Sequence, residues 1–234
     1  QASATGIKAG SNGANGTITN ATGGTIAAGG AGIQVGSGNS GTITNSGAIG
    51  TATTAVGGAG ISVVSANTGT IENGSTSPLS GKIYAGTDGI SLGGENSASG
   101  TVANRSGSTI VAARNGIAVS GANSGTITNE NGTITGAVNG ILVSGGNATG
   151  GIIRTSGNSL TITGINATTG DAIHVTGANA GTILSTSYGT LVATAGDGIE
   201  VTGANSGTIT NNSGTITAKA NGILVGEGNT TGSK

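Results

Sequence analysis

The ten residues GTITNENGTI at 125–134 decide how this chain folds. Thr126 and Thr128 flank Ile127, and Thr133 and Thr135 flank Ile134. A period of two puts each Ile on one face of an extended strand and its Thr neighbours on the other. Between them stand Asn and Gly, residues that favour turns. The stretch therefore predicts two short strands meeting at a corner.

The unit recurs. GTITN stands at 16–20, 41–45 and 207–211 as well, and GTI followed by small residues at 24–27 and 214–217. A third piece, GI-x-V, opens each unit: Gly6-Ile7, Gly32-Ile33, Gly60-Ile61, Gly89-Ile90, Gly116-Ile117, Gly140-Ile141, Gly198-Ile199 and Gly222-Ile223, with Ala172-Ile173 filling the one gap. From Gly6 to Gly222 is 216 residues over eight units, a mean period of 27. Three strands per repeat of this length predict an all-β parallel β-solenoid (a β-helix) of about eight coils, each strand bonded to its copies above and below. At about 4.8 Å per coil the rod would be about 40 Å long. The chain reads as one solenoid domain, 1–234, whose last coil is incomplete.

Composition agrees. The 234 residues include 51 Gly but no Phe, Trp, Met or Cys, two Tyr and one Pro. An ordinary globular core of this size would draw on aromatic anchors; here Ile, Val, Leu and Ala must fill a thin one. Charged residues make up only 6% and β-branched apolar residues are regular, which argues against disorder. Gly does not recur every third residue, which excludes collagen. A net charge of −1 without a basic run predicts no nucleic-acid partner. No apolar stretch approaches the roughly 20 residues of a membrane-spanning helix, so no membrane insertion is expected. Absence of Cys removes the disulfide-scaffold class, and a chain opening at Gln1 without a secretory signal is what a processed secreted protein would look like.

Stacking places like residues in columns. One apolar column is Ile7, Ile33, Ile61, Ile90, Ile117, Ile141, Ile173, Ile199 and Ile223; a second is Ile18, Ile43, Ile71, Val102, Ile127, Ile183 and Ile209; a third is Ile26, Ile49, Ile83, Ile110, Ile134, Ile162, Leu191 and Ile216. A turn ladder is expected from Asn15, Asn39, Asn67, Asn96, Asn123, Asn147, Asn179, Asn205 and Asn229, because Asn tolerates left-handed backbone and its amide can bond the same amide one coil away. Asn20, Asn45, Asn73, Asn104, Asn129 and Asn211 mark a second corner; Asp88, Asn115, Asn139, Asp171, Asp197 and Asn221 mark a third. Residues 72–82, with the only Pro, and the 32-residue coil at 140–171 enlarge the repeat and are expected to loop out at a corner.

The GTITNSGTI-like phrase at 41–49, 125–134 and 207–216, and more loosely along nearly the whole chain, resembles the passenger domains of bacterial autotransporters and related surface adhesins. The resemblance implies a right-handed β-helix, a location on or outside a bacterial cell, and a role in adhesion, aggregation or matrix building. Such passengers carry a translocator barrel at their C-terminus. None follows residue 234, so a cleaved passenger, a fragment or a free-standing secreted relative is expected.

The ends bear on the function. Open strand edges pair readily with another chain, and no amphipathic helix or charged segment is visible to cover them. Residues 1–5 align with the end of a third strand, and the last unit stops soon after its first. The expectation is a structural subunit of an extracellular filament, stacking head to tail through Ile7, Ile18 and Ile26 at one end and Ile209, Ile216, Ile223 and Val225 at the other. A truncated adhesin with cell-surface or carbohydrate ligands is the alternative.

Chemistry is sparse. The acidic cluster Asp171, Asp197 and Glu200 lies near the single His174, and reads as a solvated face with a His174–Glu200 pair between coils rather than a Ca2+ or paired-carboxylate site. With only Tyr84 and Tyr188 as aromatic platforms, neither enzyme activity nor a cofactor is expected. Thr pairs at 17/19, 42/44, 126/128 and 208/210 suggest an ice-binding row, but Glu72, Ala103, Arg154 and Leu184 interrupt it. Asn-x-Ser/Thr sequons follow from the turn chemistry of the repeat.

Overall fold

The computed structural model describes residues 4–75, 80–157, 164–230 and 232–234. Each predicted piece forms a strand of two to five residues, and 25 such strands build three parallel sheets. The first sheet has nine strands, from Ile7–Ala9 to Ile223–Val225. The second has eight, from Thr17–Asn20 to Thr208–Asn212, and the third eight, from Thr25–Ile26 to Thr215–Ala218. Every interior strand pairs with its copies one coil before and one coil after, giving a parallel β-solenoid of about eight turns. No helix occurs among the described residues.

Register brings the apolar columns together as read. Ile117 stands between Ile90 and Ile141, and Ile127 between Val102 and Ile153. Ile153 thus supplies the second-column residue of the irregular 140–171 coil. Interior members of all three columns are fully buried, each contributing about 1.5–3 kcal/mol before chain entropy is subtracted. One position changes. The third column takes Ile165, paired with Ile134 and Leu191; Ile162, the residue expected there, lies outside the described residues, as do Pro78 and Gln1–Ser3. The loops expected within these enlarged segments include residues 76–79 and 158–163, which lie outside the described residues; pairing is in register on either side of both, at Asn73 and Lys82 and at Ser156 and Gly164.

The turn ladder needs a correction at its start: Asn12, not Asn15, begins it. Asn12 bridges Asn39 and is buried, whereas Asn15 is exposed in a turn closed by Gly16 N donating to Gly13 O at 2.7 Å. The later ladder residues lie six positions beyond the first-strand Ile, and Asn12 lies five beyond Ile7, close to that spacing. Counted back from the second strand, Asn12 stands four residues before Gly16, as Asn96 does before Gly100, whereas Asn15 is only one before it. From Asn12 to Asn229 each Nδ2 donates to the Oδ1 of the next coil, at 2.7–2.9 Å. A second amide chain runs the same way from Asn20 to Asn129; Thr155 and Ser185 then carry that column to Asn211. Sequon residues Asn73, Asn104 and Asn147 are fully buried within these ladders, which closes them to a glycan in the folded chain.

Close packing explains the Gly-Ile pair. A Cβ on Gly32 would fall on Cγ2 of Ile49, and one on Gly60, Gly89, Gly116, Gly140 or Gly198 would fall on Cγ2 of Ile83, Ile110, Ile134, Ile165 or Ile216. The third-column Ile of each coil therefore requires a Gly beside it. The single coil with Ala at this position, Ala172, is the single interior coil whose third-column residue is Leu191. Leu branches one carbon further out and has no Cγ2 on its Cβ, so the Ala methyl takes the vacated space. Both side chains are fully buried. Leu191→Ile should therefore destabilise the protein by about 1–3 kcal/mol through overpacking. Adding Ala172→Gly should recover most of the loss, a non-additivity read from a double-mutant cycle in denaturant.

Candidate functional site

Three features of the surface carry chemistry: the open ends, a charged stripe on the second sheet, and a His–carboxylate cluster between the seventh and eighth coils.

The residues read as joining surfaces stand in the first and last coils. Ile7, Ile18 and Ile26 contribute one side chain from each apolar column at the first coil, and Ile209 and Ile216 do so at the last. All five are only partly buried, in contrast to their fully buried interior copies. Ile223, beyond them in the first sheet, is 44% exposed, and Val225 is half-buried. The first sheet extends one strand further than the other two, and Lys234 begins to cover the second, where Ile209 N donates to its carbonyl at 2.8 Å. The Asn ladder is polar along its whole length: its first member, Asn12, ends in an Oδ1 acceptor and its last, Asn229, in an Nδ2 donor.

On the outward face of the second sheet, Thr17, Thr42, Thr70, Thr101, Thr126, Thr182 and Thr208 share one row, broken by Ile152. The companion row runs Thr19, Thr44, Glu72, Ala103, Thr128, Arg154, Leu184 and Thr210. Its middle is occupied by ion pairs. Arg105 reaches Glu72 one coil away and Glu130 in the other direction, and Arg154 Nη2 lies 3.0 Å from Glu130 Oε1. Thr128 is buried by its surroundings, so the paired Thr surface is not continuous. Burial works against the Arg105 charge, but hydrogen bonds to Glu72 and Glu130 and their charges outweigh it and raise its pKa. Sequence reading found Glu72 and Arg154 only as interruptions. Their partners are Arg105, just after the Thr101–Asn104 strand, and Glu130, the last residue of the Thr126–Glu130 strand; alternating sign from coil to coil was the available signal.

At the third corner the expected stack forms. Asn115 Nδ2 donates to Asp88 Oδ1 at 2.8 Å, Asn139 Nδ2 to Asn115 Oδ1 at 3.1 Å, and Asn221 Nδ2 to Asp197 Oδ1 at 2.9 Å. Asp171 and Asp197 interrupt this, because neither offers an amide to the other. Asp171 Oδ1 instead accepts the backbone N–H of Asp197 at 2.6 Å. Its Oδ2 turns to His174 Nδ1 at 2.8 Å, which also lies 3.2 Å from Glu200 Oε2. His174 and Glu200 face outward in register on adjacent first-sheet strands, the pair expected from the sequence. The three side chains place ligand-type atoms within 4.8 Å of one another. Burial, and then a hydrogen bond with Asp171, push the Glu200 carboxyl above its ordinary pKa despite His174. With its folded value raised, the stability that Glu200 contributes is present at low pH and lost as pH rises through that value.

No protein-family model, curated protein or solved structure matches the chain. The site is therefore read from its own geometry.

Replacing Arg105 by Met leaves Glu72 and Glu130 without their shared partner. Arg105→Met is expected to lower stability by about 1 kcal/mol in thermal or denaturant unfolding at low ionic strength. The difference from wild type should shrink in about 1 M salt, where charges are screened within a few ångströms.

Proposed function

We propose that this protein is a structural element of an extracellular bacterial filament or matrix, in which solenoids stack head to tail and continue one another's sheets. The observation that carries this is the polarity of the coil, whose two edges differ in hydrogen-bonding sense along the Asn ladder. A second copy laid on Ile223–Val225 by its Ile7–Ala9 strand extends the first sheet in parallel, as each coil already extends the one before it. The same placement meets the Asn229 Nδ2 donor with the Asn12 Oδ1 acceptor, whereas head-to-head contact would oppose two acceptors. A contact of this kind uses two different surfaces and so generates an open polymer.

Resemblance of the GTITNSGTI-like repeat to autotransporter passengers supports an exterior, non-enzymatic role with a right-handed coil.

Electron microscopy and light scattering of the purified chain over a concentration series test the proposal. Wild type should form filaments one solenoid wide that lengthen with concentration. Ile223→Lys, which puts a charge on the joining surface at a position already 44% exposed, should stay monomeric with an unchanged β-rich circular dichroism spectrum. Uniformly monomeric wild-type particles at every concentration would refute it.

A further inference from the structure

We propose that Asp171, His174 and Glu200 form a binding site for a divalent transition metal of the zinc class, bridging the seventh and eighth coils. The inference is independent of polymerisation and rests on three observations.

The first is geometric. His174 Nδ1 lies 2.8 Å from Asp171 Oδ2 and 3.2 Å from Glu200 Oε2. Ligand atoms around a tetrahedral ion with bonds of 2.0–2.1 Å stand about 3.3 Å apart, so small side-chain movements admit an ion among them. Register holds the set in place: His174 pairs with Glu200 across the first sheet, and Asp171 is fixed at the preceding corner by the Asp197 and Asn139 bonds.

The second is the state of Asp171. Its side chain is 9% exposed, and its Oδ2 has no partner outside the cluster. Elsewhere in this corner column a stacked amide lies beside an acid; here two carboxylates follow one another. A buried acceptor aimed at an imidazole and a second carboxylate is the arrangement a cation completes.

The third is charge. Asp88, the other acid of the column, has Arg114 Nη1 at 3.9 Å. Among the described residues no Lys or Arg comes within 4.0 Å of Asp171, Asp197 or Glu200, and His174 is the only cationic partner. A bound ion would bring to this acid pair the positive charge that Arg114 brings to Asp88.

Donor chemistry selects the ion. One imidazole and two carboxylates suit zinc, cobalt or nickel, while Ca2+ and Mg2+ prefer oxygen alone. His174 and Glu200 remain about a quarter exposed, which leaves the outward side of the site open to water as a further ligand.

Titration calorimetry of the full chain with Zn2+ alone, at pH 7.5 after chelator treatment, tests the site. One saturable equivalent per chain is expected, with a higher melting temperature in Zn2+ and no such rise in Ca2+. His174→Gln and Glu200→Gln should each weaken binding at least about tenfold. Both positions lie on the outward face, so folding is checked by circular dichroism before titration. Absence of a saturable equivalent in the wild type, or binding that survives both substitutions, would overturn the assignment.

Discussion

Everything in this molecule depends on one spacing: each strand must meet a copy of itself about 4.8 Å away on either side. A single coil has nothing to bond across and no thickness in which to bury its Ile side chains. The stack supplies both, through parallel pairing in all three sheets and three apolar columns that meet in the middle. Because the pairing is in register, a residue's usefulness is decided by how it behaves beside its own kind. Asn serves well, since its amide donates upward and accepts from below. Like charges serve badly. Where charge does enter the second sheet it alternates in sign, from Glu72 through Arg105 and Glu130 to Arg154. The exception is the third corner, where Asp171 and Asp197 follow one another and His174 turns toward them.

The same spacing governs volume. With no Phe, Trp or Met, the interior is filled by Ile and Val in repeated positions. Gly beside the third-column Ile is a packing requirement rather than a source of flexibility, because the Ile Cγ2 fills the space a Cβ would need. Ala172 with Leu191 is a different solution to the same constraint.

Much of this was legible in the residues. Period-two alternation around Ile127 and Ile134 gave strands, the recurrence of Gly-Ile gave the coil, and nearly every column member followed by counting. Counting failed where coil length varied. Asn15 displaced Asn12 because the residues before Thr17 loop outward and carry no ladder position, and Ile153 was hidden in a coil that lacks the GTIT phrase. Side-chain chemistry between coils was less visible still. Arg105 sits just after its strand, Glu130 ends its own, and Asp171 stands three residues before His174, so their meetings depend on which way the corner turns. Neighbours along the solenoid axis are separated by 23 to 34 residues in the chain, and only a correct register converts one into the other.

Proton exchange of the Asn side-chain amides, followed by NMR, tests the stacked and polar ladder most directly. Asn67, Asn96, Asn123 and Asn147 lie in the interior of the stack with both amide partners in place. Their NH2 protons should exchange slowly, near the rate set by global unfolding, while those of exposed Asn15 exchange as in a free peptide. Exchange of Asn96 and Asn123 as fast as that of Asn15 would contradict the ladder, and with it the stack that the ladder records.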